Sequence, residues 1–423
     1  MSTITCVGID VSKGRSTVAA MRPGGEVVMT PREVLHTAAG LAELVKDLSV
    51  LGGELRIVME YTGAYYLPIA RALCVGGFFV SVVHAKLVHD FGNNSIRRGK
   101  TDKKDAVKIA NYGLANWLSL PQFHSEDAIR QQLKILNRQR SNYGKIKIAL
   151  KNNLIALLDQ TFPGVKNLFA SYPRELNGHE KWIDFALTYW HRDCVSGISF
   201  ARFVGSYSRW CKRMGYYFRE EKAAALYNAA VTSVPVLGCD EVTKLIITQA
   251  AAQLNAVIDT QFSVQAEMDN LASQLTEYDT VMAMFGVGKI LGAQLIAEIG
   301  DVTRFHSKRA LTAFAGLDSP PFQSGTYEAK ERKISKRGSP HLRRTLFNIA
   351  AIIAQRQPAD NEVYKFLDRK RSEGKHYFVY MTAAANKFLR IYYGKVKASI
   401  QDANINSMNI ATPSSSPEPT PAA

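Results

Sequence analysis

Two aspartates, Asp102 and Asp105, stand three residues apart in RRGKTDKKDAVKIA, residues 97–110, among Arg97, Arg98, Lys100, Lys103, Lys104 and Lys108. Two further carboxylates, Asp10 and Glu60, each close a short run of β-branched and apolar residues, in ITCVGIDVS and LRIVMEYTG. On a helix starting near Thr101, the i, i+3 spacing puts Asp102 and Asp105 on one side. Four carboxylates from three elements are hard oxygen donors suited to Mg²⁺ (or Mn²⁺), which keeps remaining positions for water or phosphate. Such ions activate an attacking oxygen and stabilise a leaving one in phosphoryl transfer. The surrounding cations would then draw in a phosphate backbone that bare carboxylates repel. Each residue alone has a plainer reading. Asp10 suits a turn, Glu60 a surface, Asp102 a helix N-terminus, and Asp105 an ion pair with Lys108. Their joint order favours the metal site.

These residues need a scaffold that brings strand ends and a helix together. ITCVGIDVS, LRIVMEYTG and FFVSVVHA read as strands, while GLAELVKDLSVLGG and YLPIARALCVGG carry helical spacing and stop at glycine pairs. The alternation predicts an α/β sheet over residues 1–122 with the carboxylates at its strand ends. An ATPase of the actin and sugar-kinase type also opens on a strand and an Asp, but the later Gly-rich phosphate loop it needs is missing.

The remainder reads as mainly helical. A long helix from about Glu126 carries a basic stripe, Arg130, Lys134, Arg138, Lys145 and Lys151, expected to be a solvated face. An aromatic-rich segment follows, and its rings read as core. A second long helix, Glu241 to Tyr278, shows a heptad seam through Leu254, Val257, Gln261, Val264, Met268, Leu271, Leu275 and Tyr278. It predicts a self-pairing coiled coil or packing on the basic helix. In FGVGKILGAQLIAEIG, Gly286, Gly288 and Lys289 precede an apolar helix as in a helix-hairpin-helix phosphate site, although a plain turn would use the same glycines. A Pro/Ser/Gly-rich loop then leads to Arg332, Lys333, Lys336 and Arg337, and to a helix opened by Ser339 and Pro340 with Arg343 and Arg344 in its first turns. The expected divisions are 1–122, a helical or coiled-coil connector with an aromatic-rich insertion over 123–280, a third domain over 281–400, and a disordered tail over 401–423.

Composition sets limits. The 423 residues carry 53 Lys and Arg against 37 Asp and Glu, a net charge of +16, which favours nucleic acid over other partners. No apolar run approaches the ~20 residues of a membrane span. The opening residues lack an export signal, which points to the cytoplasm. Five scattered cysteines, Cys6, Cys74, Cys194, Cys211 and Cys239, read as reduced thiols without zinc-ligand spacing.

GIDVSK, MEYTGAYYLPIARAL, KTDKKDAVKIANYG, FGVGKILGAQLIAEIGD, and FAGLDSPPFQSG followed by SKRGSPHLRRTLF resemble, in order and spacing, the DEDD transposases of bacterial insertion sequences. The resemblance implies a RuvC-like amino-terminal domain of RNase H fold, a coiled-coil connector and a carboxy-terminal transposase domain with a serine nucleophile. That serine stands in the family's Ser-Gly pair, here Ser324. The residues alone would not select it over Ser319, Ser335 or Ser339. The resemblance further implies a DNA recombinase guided by a structured noncoding bridge RNA, with a covalent 5′-phosphoserine link to DNA and donor and target duplexes as partners. The active site would be shared between subunits of a homodimer or homotetramer. Asp10, Glu60, Asp102 and Asp105 would hold the metal. Arg97, Arg98, Lys100, Lys103, Lys104, Lys289, Arg332, Lys333, Lys336, Arg337, Arg343 and Arg344 are candidates for nucleic-acid contacts. A junction-resolving endonuclease using metal-activated water, and a non-catalytic RNA-binding scaffold, are the alternatives.

Overall fold

The structure, a computed structural model, describes residues 3–91, 101–124, 127–169, 172–321, 323–324, 327–328 and 333–411. Arg97, Arg98, Lys100 and Arg332 lie outside these residues. The chain forms two compact units, Met1–Ser125 and Glu126–Ala423.

The first unit holds a five-stranded sheet of β1 (Ile4–Ser12), β2 (Arg15–Arg22), β3 (Glu26–Leu35), β4 (Glu54–Glu60) and β5 (Phe79–Val83), in the order β3-β2-β1-β4-β5. The first three strands are antiparallel, and β4 and β5 run parallel to β1. The helices are α1 (Ala38–Ser49), α2 (Leu67–Val75), α3 (Ala85–Phe91) and α4 (Asp102–Ala115). Alternation along β1 sends Val7, Ile9 and Val11 to a core with Leu44 and Leu48 of α1 and Ile69 and Leu73 of α2. Cys6 faces the opposite core, with Val58, Val88 of α3 and Ile109 of α4.

Strands β1, β4 and β5 follow the sequence reading, but β2 and β3 were not foreseen. Their residues RSTVAAMR and EVVMTPREVL lack clean alternation, and β3 contains Pro31. Proline is tolerated there because β3 is an edge strand. A two-residue turn joins β1 to β2, with Gly14 at φ +77°.

The second unit is built on α5 (Ala128–Thr161) and α10 (Glu241–Ala272), which pack along each other. Leu133 and Met268 share one core, while Leu154 and Leu158 share another with Ile247 and Leu254, so the two helices run antiparallel. The first core adds α11 (Tyr278–Met282), α12 (Lys289–Ile299), α13 (Lys308–Ala315), α14 (Pro340–Arg356), α15 (Glu362–Ser372) and α16 (Tyr377–Ala411). The second adds α6 (Lys181–Thr188), α7 (Asp193–Ser196), α8 (Phe200–Met214) and α9 (Glu220–Thr232). A two-stranded hairpin of β6 (Gln323–Ser324) and β7 (Tyr327–Glu328) lies between α13 and α14.

The heptad seam of α10 is thus met by α5 of the same chain. Gln261 at its polar position donates to the Arg140 carbonyl at 3.4 Å, opposite Gly144. α10 stops at Ala272, before the expected Tyr278, and the chain turns into α11. The aromatics of the insertion are core, as expected: Phe185, Tyr189, Phe203, Tyr207 and Trp210 are buried and in mutual ring contact. The tail expected from residue 401 is helical as far as Ala411, because α16 meets no helix breaker before Pro413. Residues 412–423 lie outside the described ones.

Candidate active site

The site is positioned by two glycines. Gly8 shares its face of β1 with Cys6 and Asp10, and a Cβ there would stand 2.1 Å from the Ala106 carbonyl oxygen and 2.4 Å from the Ala110 nitrogen. Gly113 of α4 would place a Cβ 2.3 Å from Cys6 Sγ. The bare backbones therefore let α4 lie directly on β1. Contact runs from Gly113 at Cys6 to Ala106 at Gly8, so α4 descends antiparallel to the strand. The next turn of α4 toward its N-terminus carries Asp102 and Asp105, and the next residue of β1 on that face is Asp10.

Glu60 arrives from the neighbouring strand. Ile9 pairs with Met59 in parallel register, and both side chains enter the core beneath α1 and α2. Alternation sends the residues that follow, Asp10 and Glu60, toward the α4 side together. Thr101 caps α4, its hydroxyl accepting from the Lys104 nitrogen at 3.3 Å.

Asp10, Glu60, Asp102 and Asp105 line one open cleft of about 800 Å³, together with Ser12, Ala85, Lys86, His89, Asp90 and Lys108. Asp10, Glu60 and Asp105 are half-buried and Asp102 is exposed. Asp10 lies two residues before the end of β1, which runs on to Ser12, whereas Glu60 ends β4 as read. Lys108 Nζ donates to the His89 carbonyl at 3.5 Å, tying α4 to α3. Lys103 and Lys104 are exposed on the first turn of α4 but do not line the cleft. Sequence reasoning missed Lys86, His89 and Asp90, which come from α3. Their one sequence signal was the polar cluster HAKLVHD directly after β5.

The second unit carries the remaining expected residues. Ser324 pairs with Tyr327 in the β6–β7 hairpin, and this is a statement of its backbone position alone. Two of its rivals are committed elsewhere. Ser335 donates to Asp318 Oδ1 at 2.5 Å, and Ser339 caps α14 while donating to Glu298 Oε2 at 2.9 Å. Ser319 is exposed. Lys289, Lys333, Lys336, Arg337 and Arg344 are exposed, and Arg343 is half-buried, donating to the Ala315 carbonyl. Gly286, at φ +82°, makes the turn between α11 and α12, with Val287 buried beneath.

The basic stripe of α5 is only partly the solvated face expected. Arg130 pairs with buried Glu277, and Arg138 grips buried Glu298 through two bonds of 2.9 Å. Lys151 binds Glu180 at 2.7 Å. Buried acids must be neutralised, and these cations do that. Burial pushes Arg140 and Lys147 below their ordinary values, with Asp269 acting against the shift at Arg140 and Glu180 against it at Lys147.

Residues 7–163 match a family model described as a transposase of the DEDD, IS110 type, and residues 278–365 match the "Transposase IS116/IS110/IS902 family" model. Together they span more than half of the chain. The chain belongs to the IS110-type transposase family. The first match brackets Asp10, Glu60, Asp102 and Asp105 of this transposase, and the second contains Ser324. The transposase is 22% identical over 92% of its length to the insertion element IS900 42 kDa protein of Mycobacterium paratuberculosis, covering 95% of that protein. It is 24% identical to a pilin gene-inverting protein of Moraxella lacunata, over 81% of this chain and 80% of that one. Among solved structures, Thermus thermophilus RuvC is similar at 12% identity and a TM-score of 0.22, covering 27% of this chain and 95% of that one.

Proposed function

We propose that this transposase is the recombinase of its insertion sequence, cutting and rejoining DNA at a Mg²⁺-dependent site of Asp10, Glu60, Asp102 and Asp105. A structured RNA encoded by the element would select donor and target DNA. The observation that carries the reading is the convergence of these four carboxylates, from β1, β4 and α4, on one cleft. The strand order β3-β2-β1-β4-β5, antiparallel on one side of β1 and parallel on the other, supports reading residues 1–122 as a RuvC-like domain of RNase H fold.

The donors fit a hard divalent ion. They are all carboxylates, and the open cleft leaves room for phosphate oxygens beside them. When bound, Mg²⁺ would supply charge neutralisation for the attacking and leaving oxygens of phosphoryl transfer. Lys86 and Lys108, lining the cleft, and Lys103 and Lys104 on the same helix draw the phosphate backbone toward it. Ser324 is the nucleophile. Its hydroxyl oxygen bonds to phosphorus, the bond from phosphorus to the 3′ oxygen breaks, and the 3′ oxygen leaves as a hydroxyl carrying a proton. Attack by another strand's 3′ hydroxyl reverses the step and releases the serine. Family resemblance is what supports this serine; Ser335 and Ser339 are engaged in structural hydrogen bonds. The exposed cations Lys289, Lys333, Lys336, Arg337 and Arg344 offer a nucleic-acid surface. Assembly would be as a homodimer or homotetramer.

Asp102→Ala should abolish strand exchange while leaving circular dichroism and copurifying RNA unchanged. Full activity in that variant would sink the metal assignment. Ser324→Ala separates the recombinase from an endonuclease with metal-activated water. The recombinase loses its covalent protein–DNA adduct along with cleavage, whereas the endonuclease cuts as before and never shows an adduct.

A further inference from the structure

Two segments of the second unit that are far apart in sequence meet, and neither holds a residue given a role above. His191 stands just before α7, Asp193 opens it, and Cys239 lies just before α10. His191 Nδ1 or Nε2, an Asp193 carboxylate oxygen and Cys239 Sγ all lie within 4.8 Å of one another. In a tetrahedral zinc site such ligand atoms stand about 3.5 Å apart, given metal distances of ~2.0–2.3 Å. Small side-chain rotations close the difference.

The histidine is set up as a ligand. It is 1% exposed, and its Nε2 is 3.1 Å from the Leu237 carbonyl oxygen, which can only accept. Nε2 therefore carries the proton. Nδ1 accepts from the Asp193 backbone nitrogen at 3.1 Å, so its lone pair points out toward Asp193. A backbone carbonyl that fixes the tautomer from the far side is the usual outer partner of a metal-bound imidazole. Asp193 is oriented too: Oδ1 accepts from Arg192 Nε at 3.0 Å and Ser196 Oγ at 3.3 Å, while Oδ2 faces His191 Nδ1 at 3.4 Å. Nδ1 and Oδ2 are close enough for one cation to bind both once it displaces the Asp193 N–H from Nδ1. Cys239 acts electrostatically on Cys194, the residue after Asp193, which puts a second sulfur at the edge of the group. Asp193 and Cys239 are exposed, so an ion has a way in.

We propose that His191, Asp193 and Cys239, with Cys194 beside them, bind a thiophilic divalent cation of the Zn²⁺ type. On binding, the coordinating thiol gives its proton to solvent and the metal–nitrogen bond replaces the Asp193 N–H bond to Nδ1. The ion ties the start of α10 to α7, and so fastens the aromatic-rich insertion to the long helix pair at the end remote from α11–α16. It is a structural clamp distinct from the carboxylate cleft in ligand type, since sulfur and imidazole select zinc where carboxylates select magnesium.

The test is titration of metal-stripped, reduced full-length protein with Co²⁺, followed by its thiolate-to-cobalt charge-transfer absorption. About one Co²⁺ per chain should develop the band. Asp102→Asn, which affects only the oxygen cleft, should leave it intact. Cys239→Ser changes an exposed residue, so the variant should fold; it should remove the band and weaken Zn²⁺ binding by more than the ~10–100-fold cost of losing an outer-sphere partner. Zn²⁺ should also raise the Tm of the parent protein and not that of Cys239→Ser. No charge-transfer band in the parent, or a band and Tm response unchanged in Cys239→Ser, would overturn the proposal.

Discussion

Asp10 and the pair on α4 can meet only because two residues have no side chain. At Gly8 the obstacle to a Cβ is the backbone of Ala106 and Ala110, which cannot rotate away. Gly8→Ala must therefore push α4 off β1, carrying Asp102 and Asp105 away from Asp10. Overpacking of this kind costs about 1–3 kcal/mol or more. The expected result is a lower urea midpoint, with strand exchange falling further than the loss of folded protein accounts for. A variant with unchanged midpoint and activity would show that the close approach is not what sets the cleft. The four carboxylates were legible in the sequence because their residue type and spacing are local facts. The glycines that join them were not, since Gly8 and Gly113 read as ordinary members of a strand and a helix until α4 lies across β1. The cluster of His191, Asp193 and Cys239 was invisible for the same reason, and the cysteine spacing argued against any zinc site. It exists only where the chain returns through Leu237.

At the scale of elements, periodicity did most of the work and charge misled. The helical pattern located α5 closely, the Ser339–Pro340 start signal located α14, and the seam of α10 found its partner in α5. β2 and β3 escaped because antiparallel pairing, of β2 with β1 and of β3 with β2, and not their own pattern, makes them strands. The stripe on α5 looked solvated because Glu277 and Glu298, the buried acids it meets, lie far along the chain. The same helix supplies a contrast to Gly8. Gly144 lies mid-helix, and a Cβ there would meet only Gln261 Nε2 at 3.4 Å, the end of a flexible side chain. Alanine at a helix interior is favoured over glycine by ~0.5–1 kcal/mol. Gly144→Ala should accordingly raise the urea midpoint of the second unit, monitored by its tryptophans Trp182, Trp190 and Trp210. A fall would mean that α5 and α10 approach more tightly than their side chains indicate.

For the whole molecule, the division into two units separates the two proposed metal sites. Asp10, Glu60, Asp102 and Asp105, and both cores that hold β1, β4 and α4 in place, belong to Met1–Ser125. Every ligand of the sulfur-containing cluster belongs to Glu126–Ala423. A fragment of residues 1–125 has no need of the second unit's core, so it should unfold cooperatively on its own. An ion that binds the native fragment and not the unfolded chain raises stability by RT ln(1 + [L]/Kd), about 2.7 kcal/mol at a hundred times Kd. Mn²⁺ should raise the fragment's Tm, and Asp10→Asn should abolish the rise because removing one anionic donor leaves the remaining carboxylates repelling without enough charge to hold the ion. Zn²⁺ at stoichiometric concentration should leave the fragment's Tm unchanged, while raising that of the full-length chain. A fragment that melts cooperatively yet gains nothing from Mn²⁺ would mean the carboxylates close the strand ends without binding metal. The catalytic reading would then have to rest on Ser324 alone.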